Sequence, residues 1–230
     1  MAEVIIALDV PGRDQAENLV ARLDPEARFF KVGLELFTRA GPSFVRQLRD
    51  GGFRVFLDLK LHDIPNTVRR AAVAAAELDV DLLTVHATGG RRMIEEARAA
   101  VRGSRTRLLA VTALTSLDAA ALEAVWGRTA VDPRVEVVRL AALAMEGGAH
   151  GVVASPAEAA DLRDRLGTGA LIVTPGIRLA GDDPHDQARI ATPADATRAG
   201  ADYLVIGRMV SRAPDPLGAL KRIRAEVEAA

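Results

Sequence analysis

The 230-residue sequence contains no cysteine. This absence excludes a disulfide scaffold, a thiolate zinc site, an iron–sulfur cluster and a cysteine nucleophile. Long apolar runs are also missing, since none approaches the ~18–20 residues that a helix needs to cross a bilayer. The opening residues, MAEVIIALDV, have no basic region and carry Asp9 within their apolar run. We therefore expect no signal peptide and a soluble, cytoplasmic protein without a membrane partner.

The sequence has almost no net charge, −1 from 30 basic and 31 acidic residues. This balance argues against nucleic acid or an anionic membrane surface as a partner bound through bulk charge. Lysine is scarce, because Lys31, Lys60 and Lys221 stand against 27 arginines. Lys221 belongs to a polar terminal helix, whereas Lys31 and Lys60 lie in apolar segments. Arginine cannot release a proton near neutral pH, so a lysine retained at such a position is a candidate for chemistry.

Short apolar segments alternate with amphipathic segments along the whole chain. The apolar segments predict strands at 4–10, 27–34, 53–61, 82–87, 107–115, 151–155, 171–177 and 203–210. The amphipathic segments predict helices at 14–23, 42–50, 66–79, 91–102, 134–147, 157–166, 192–199 and 215–228. An additional short helix is expected within 117–133.

Strands that are apolar on both faces and separated by helices indicate a parallel sheet. Eight such units in about 230 residues predict a single (β/α)₈ TIM barrel, with one domain spanning residues 1–230. The alternative is an open, doubly wound sheet, which would carry a glycine-rich phosphate turn after its first strand. The residues there, DVPGRD, contain one glycine, so the barrel is favoured.

Charged residues gather where the predicted strands end, which is where barrels place their catalytic groups. Asp9 ends the first strand, Lys31 lies in the second, and Asp58 and Lys60 lie in the third. Asp58 and Lys60 are two residues apart and share one face, while leucines 57, 59 and 61 share the other. The leucines should pack against the helices, so Asp58 and Lys60 should point inward. Asp63 lies beyond the strand with the opposite parity and need not face the same cavity.

The ends of strands 7 and 8 form the phosphate site of many barrels. Here they offer glycines, Arg178 and Arg208, which predicts a site for a phosphate group. Thr115 and Ser116 follow the fifth strand. The four histidines have no spacing that suggests a shared metal, so we expect no metal site.

The segment 58–68, DLKLHDIPNTV, resembles the signature of bacterial orotidine 5′-monophosphate decarboxylases. The resemblance extends over the whole chain, through ALDV at 7–10, FFKVGLELF at 29–37, VTALTS at 111–116, TPGIR at 174–178 and VIGR at 205–208. It implies decarboxylation of orotidine 5′-monophosphate to UMP and CO₂, the last step of de novo pyrimidine synthesis, without a metal or an organic cofactor.

The resemblance also implies roles for particular residues. The catalytic charges would be Lys31, Asp58, Lys60 and Asp63, with Lys60 stabilising and protonating the carbanion at C6. Other positions would bind substrate: Asp9 and Lys31 the ribose, Thr115 and Ser116 the pyrimidine, and Arg178, Gln187, Gly207 and Arg208 the phosphate. Asp63 and Thr67 would reach the partner's site in a homodimer. The segment 179–186 would be a mobile loop that grips the phosphate.

Three alternatives remain open on the sequence. A related sugar-phosphate decarboxylase shares the D-x-K-x-x-D pattern but uses magnesium, and it carries an acidic ligand where this chain has Lys31. An aldolase would use Lys60 as a Schiff base, which requires a depressed pKa, whereas flanking aspartates favour the charged form. A barrel that binds a nucleotide without turning it over would not need such costly buried charge.

Overall fold

A computed structural model of the chain describes residues 1–179 and 191–230. Eight parallel strands pair in chain order, and β8 pairs with β1 to close the barrel. This closure confirms the TIM barrel and excludes the open, doubly wound sheet. The strands are β1 (Glu3–Ala7), β2 (Phe29–Gly33), β3 (Arg54–Leu61), β4 (Leu82–His86), β5 (Arg107–Val111), β6 (Gly151–Val153), β7 (Leu171–Thr174) and β8 (Tyr203–Ile206).

Helices surround the barrel, and several begin at a proline in the first turn, where the missing N–H removes no hydrogen bond. Within the described residues the helices are α1 (Arg13–Leu23), α2 (Leu34–Asp50), α3 (Pro65–Ala76), α4 (Arg91–Ala100), α5 (Ala119–Trp126), α6 (Pro133–Glu146), α7 (Ala159–Leu166), α8 (Pro193–Arg198), α9 (Arg208–Ser211) and α10 (Pro216–Glu228). The short extra helix expected within 117–133 is α5. None of these helices is long and apolar enough to span a membrane.

Two predicted strand ends are wrong by four residues, and one helical segment is not predicted. The chain of α2 is broken at Gly41, whose φ of 67° and ψ of −174° are not helical, so the helix predicted at 42–50 is confirmed as its second part, and its first part, residues 34–40, is the segment that the sequence does not predict. The strand predicted at 203–210 ends at Ile206, and Arg208–Ser211 form α9. The strand predicted at 107–115 ends at Val111. Ala113 beyond it is still buried, so burial at the barrel mouth gives the loop the apolar character of a strand.

The core has two layers. Alternate strand residues fill the barrel interior, including Ile5, Phe29, Phe56, Leu109 and Val173, and their neighbours pack outward against the helices. In β3, Phe56 lies in the interior layer, whereas Leu57, Leu59 and Leu61 belong to the outer layer. The predicted orientation of the leucines is therefore confirmed, and the opposite face of β3 is directed into the barrel.

Candidate active site

A cavity of about 320 Å³ opens at the carboxyl ends of the strands. Its floor is the upper part of the interior core, and its walls carry most of its polar side chains. The residues that line it are Asp9, Lys31, Phe56, Asp58, Lys60, Val111, Ala113, Leu114, Thr115, Ser116, Val153, Pro175, Gly176, Arg178, Val205, Gly207 and Arg208. Groups that the sequence placed on six different strands thus meet at one cavity.

Two lysines and two aspartates form an alternating chain of charge along one wall. The Lys60 Nζ donates to Asp58 Oδ2 at 2.7 Å, and the Lys31 Nζ lies 3.7 Å from the same oxygen. Lys31 also donates to Asp9 Oδ1 at 3.1 Å. Lys31 and Asp58 are each only 9% exposed, whereas Asp9 is open to solvent. The order along the wall is therefore Asp9, Lys31, Asp58 and Lys60.

Asp58 is held in its charged form. Burial would raise the pKa of this carboxyl, but the charges of Lys31 and Lys60 and the hydrogen bonds from Lys60 and Thr84 oppose it. Together they outweigh burial and hold the pKa of Asp58 below its ordinary value. The Thr84 hydroxyl donates a hydrogen bond to Asp58 Oδ1 at 2.9 Å.

The backbone at Lys60 departs from a regular strand. Its φ is +49°, in the left-handed region that non-glycine residues rarely occupy. The pairing of β3 with β4 is interrupted between Leu57 and Leu61, which is the stretch that contains Asp58 and Lys60. Backbone strain of this kind concentrates at functional sites.

Close packing around the charged groups explains a glycine in the site. A Cβ on Gly33, the last residue of β2, would lie 3.0 Å from the Lys31 Nζ and 3.7 Å from Asp9 Oδ1. That approach is tighter than almost all real Cβ contacts. A side chain at position 33 would therefore require the ammonium of Lys31 to shift by a few tenths of an ångström.

The ends of β7 and β8 place glycines and arginines beside the same cavity. Gly176 has a φ of +79°, and Gly207 is the residue that turns the chain from β8 into α9. Arg178 is 7% exposed, and its Nη1 donates to the carbonyl of Ile177 at 2.7 Å. Arg208 is the first residue of α9 and also lines the cavity. Two guanidinium groups and glycine backbone are the elements expected for a phosphate site.

Thr115 and Ser116 line the cavity from the loop after β5. Thr115 is half-buried and Ser116 is exposed, so both hydroxyls lie within the reach of a bound molecule.

Asp63 and Thr67 are both exposed and do not line the cavity of their own chain. Asp63 Oδ1 accepts a hydrogen bond from the backbone N–H of Ile64 at 2.6 Å, just before α3. Gln187 lies outside the described residues, as does the predicted loop at 179–186 except for Leu179.

The histidines do not form a metal centre in the described part of the chain, where no cluster of three suitable side chains occurs. His62 and His86 lie near the site with ring centroids 5.4 Å apart. Burial, with the charge of His62 and Lys60, lowers the pKa of His86. His150 lies at the opposite end of the barrel, where burial and the charge of Arg98 and Arg107 lower its pKa to about 4.

Sequence reasoning missed Thr84, which contacts both Asp58 and the backbone of Lys60. The available signal was a hydroxyl in the otherwise apolar strand LLTVH, in phase with the interior residue Leu82.

Comparisons with known proteins agree with this architecture. Residues 2–223 match the model of the orotidine 5′-phosphate decarboxylase / HUMPS family. A relative from Halorhodospira halophila, named orotidine 5′-phosphate decarboxylase, is 54% identical over 99% of this chain and 96% of its own length. A relative of the same name from Moorella thermoacetica is 52% identical over 98% of this chain and 92% of its own length.

Solved structures show the same fold. The crystal structure of orotidine 5′-phosphate decarboxylase from Lactobacillus acidophilus matches with a TM-score of 0.86 at 38% identity, over 99% of both chains. That of the Pyrococcus horikoshii OT3 enzyme matches with a TM-score of 0.79 at 29% identity, over 99% of this chain and 100% of that one. The chain is therefore a member of the orotidine 5′-phosphate decarboxylase / HUMPS family.

Proposed function

We propose that this protein decarboxylates orotidine 5′-monophosphate to UMP and CO₂ without a metal or an organic cofactor, as the last step of pyrimidine synthesis in the cytoplasm. We assign the activity to one domain spanning residues 1–230. The observation that carries the proposal is the Lys60 ammonium, held 2.7 Å from a buried carboxylate within the cavity. Family membership and the names of the relatives support the same activity.

The chemical difficulty lies in the electron pair that the departing CO₂ leaves behind. When the bond between C6 and the carboxylate breaks, the pair remains in an sp² orbital of C6 with no adjacent electron sink. A fixed positive charge beside C6 stabilises the developing carbanion without reorganising during the reaction. Lys60 supplies that charge and then transfers a proton from Nζ to C6, which gives UMP and a neutral amine that solvent reprotonates.

Asp58 prepares this geometry in two ways. It anchors the Lys60 ammonium from one side, and its negative charge lies where the carboxylate of the substrate would approach. Repulsion between the two carboxylates raises the energy of the bound substrate and is relieved as CO₂ leaves. Lys31 offsets the charge of Asp58 from its other side and prevents it from being protonated.

The remaining residues hold the substrate. Asp9 and Lys31 bind ribose hydroxyls, and Thr115 and Ser116 contact the pyrimidine. Arg178, Gly207 and Arg208 bind the phosphate together with Gln187. The phosphate is remote from the bond that breaks, so its binding energy serves to hold the reacting carbon against the charge array.

We also propose a homodimer in which Asp63 and Thr67 complete the site of the partner subunit. Both residues are exposed in the single chain and follow β3 directly. Ile64 between them is 67% exposed, and Leu34, which directly follows the neighbouring β2, is 64% exposed. Apolar side chains of this size next to a catalytic loop favour burial against a second copy of the chain.

The metal-dependent sugar-phosphate decarboxylases are the nearest alternative activity. A divalent cation would need to bind between the carboxylates of Asp9 and Asp58. The Lys31 ammonium lies in that position, 3.1 Å from one and 3.7 Å from the other. A cation there would meet direct repulsion, so the charge array favours the metal-independent reaction.

Purified protein in EDTA tests the proposal through the fall in absorbance of orotidine 5′-monophosphate as it becomes UMP. We expect the full rate in EDTA and no gain on adding Mg²⁺. Activity that disappears with the chelator and returns with Mg²⁺ would favour the metal-dependent alternative. Stoichiometric nucleotide binding without turnover would favour the non-catalytic barrel.

A further inference from the structure

We propose that Thr84 is a positioning residue that sets both the backbone and the ammonium of Lys60 through a single hydroxyl. This inference rests on the proposed function, because it assigns Thr84 a part in the same decarboxylation. Thr84 is fully buried on β4 and does not line the cavity. It therefore acts on the substrate only through the groups that it holds.

The first of these groups is the backbone of Lys60. In the pairing of β3 with β4, Leu57 lies opposite Leu83 and Leu61 lies opposite Val85. Between these paired positions β3 has three residues and β4 has only Thr84. The two extra residues of β3 form a bulge opposite Thr84. The Lys60 N–H donates to the Thr84 Oγ1 at 2.9 Å. A side chain on β4 thus receives an N–H that a regular ladder would direct to backbone.

That hydrogen bond supports an unfavourable conformation. Lys60 has a φ of +49°, where a Cβ crowds the backbone and only glycine is comfortable. A backbone conformation of this kind persists only where several contacts from the surrounding structure hold it in place. The buried Thr84 hydroxyl is one such constraint, since an unpaired Lys60 N–H at this depth would carry a desolvation cost.

The second group is the carboxylate of Asp58. The Thr84 hydroxyl donates to Oδ1 at 2.9 Å, which leaves Oδ2 for Lys60 at 2.7 Å and Lys31 at 3.7 Å. The direction of each bond is fixed, because an amide N–H only donates and a carboxylate only accepts. One hydroxyl therefore links the main chain of Lys60 to the carboxylate that anchors its side chain.

Substitutions at position 84 test this role. Thr84→Val keeps the shape of the side chain but removes the hydroxyl, and it leaves an N–H and a carboxylate oxygen unsatisfied. We expect kcat to fall about 10- to 100-fold, with KM changed by less than about threefold, because the substrate does not touch Thr84. Thr84→Ser restores the hydroxyl and should recover kcat to within about threefold of the wild type.

Thr106→Val is the matched control. Thr106 is also buried, and its Oγ1 donates to the Val80 carbonyl at 2.7 Å. It immediately precedes β5, at the opposite end of the barrel from the cavity. Its loss should lower thermal stability and leave kcat unchanged. A kcat loss at position 84 without a similar loss at 106 separates positioning from general destabilisation.

Thr84→Cys covers the case in which the valine variant fails to fold, since a thiol is a weaker donor and acceptor and should give a kcat below that of serine. If the wild type is active and the valine or cysteine variant is equally active, the role of Thr84 is overturned while the proposed function stands. A kcat loss that serine does not rescue would also overturn it. A wild type that leaves orotidine 5′-monophosphate unchanged would refute the proposed function and this inference together.

Discussion

Replacing Asp58 by asparagine removes one negative charge from the centre of the array and keeps the shape of the side chain. Asp58 is 9% exposed, accepts from Lys60 at 2.7 Å and lies 3.7 Å from the Lys31 ammonium. The variant leaves two ammonium groups facing a neutral amide. We expect both catalysis and stability to suffer, because the buried cations lose their shared counter-ion.

The magnitude follows from these distances. At an effective dielectric constant of about 20, charges 2.7 and 3.7 Å apart attract by about 6 and 4.5 kcal/mol before desolvation is counted. Desolvation offsets much of this, and breaking a buried ion pair typically costs about 3–5 kcal/mol. The Lys60 side chain is 37% exposed, which reduces the effect to about 2–4 kcal/mol. If this loss of about 2–4 kcal/mol acts entirely on the transition state, kcat drops about 30- to 1000-fold.

Steady-state kinetics on orotidine 5′-monophosphate measure that drop. KM should not rise, because the variant no longer repels the substrate carboxylate. Asp81→Asn is the matched control, since Asp81 is a buried carboxylate held by Arg49, Arg54 and Arg105 at the other end of the barrel. That variant should lose stability but keep its kcat. An Asp58→Asn enzyme that is as fast as the wild type would refute the catalytic role of the charge.

The pH dependence of stability gives an independent check. The pKa of Asp58 in the folded protein lies below its ordinary value of 3.8. Its stabilising contribution is therefore complete above that value and is lost as the pH falls through the folded pKa. The difference in unfolding free energy between wild type and Asp58→Asn should be constant near neutral pH and shrink below about pH 4. A difference that grows on acidification would contradict the assignment.

Three further predictions concern other parts of the site. Lys60→Arg should lose nearly all kcat, since a guanidinium cannot release the proton, and a near-normal kcat would exclude Lys60 as the donor. Arg208→Ala should lower kcat/KM for the phosphorylated substrate by about two to three orders of magnitude, and equal losses for the dephosphorylated nucleoside would show that it acts through the fold. Lys60→Ala and Asp63→Ala homodimers should be nearly inactive, but mixing them with subunit exchange should restore about a quarter of wild-type activity. No recovery after confirmed exchange would place Asp63 in its own chain's site.

Strand parity was sufficient to orient β3. Leu57 packs outward, while Asp58 and Lys60 line the cavity, as the alternation of apolar and charged residues predicts. The number and order of the strands also follow from the alternating segments. These features depend on neighbours along the chain, which a sequence displays directly.

Contacts between strands cannot be predicted from the sequence in the same way. The bulge in β3 and the positive φ of Lys60 depend on how β3 pairs with β4. The residues next to Lys60 in the sequence therefore do not predict its contact with Thr84. The first half of α2 was missed because Gly41 and Pro42 interrupt the helical pattern. The strand predicted at 203–210 extends too far because the apolar residues of α9 continue the apolar pattern of β8.

The most direct test of the central claim compares UMP formation by the wild type and by Lys60→Ala in the same EDTA buffer. A single turnover with enzyme in excess over orotidine 5′-monophosphate reports on chemistry alone, and circular dichroism confirms that both proteins are folded. We predict complete conversion to UMP and CO₂ by the wild type and no detectable UMP from Lys60→Ala. Comparable UMP formation by the two proteins would contradict the account.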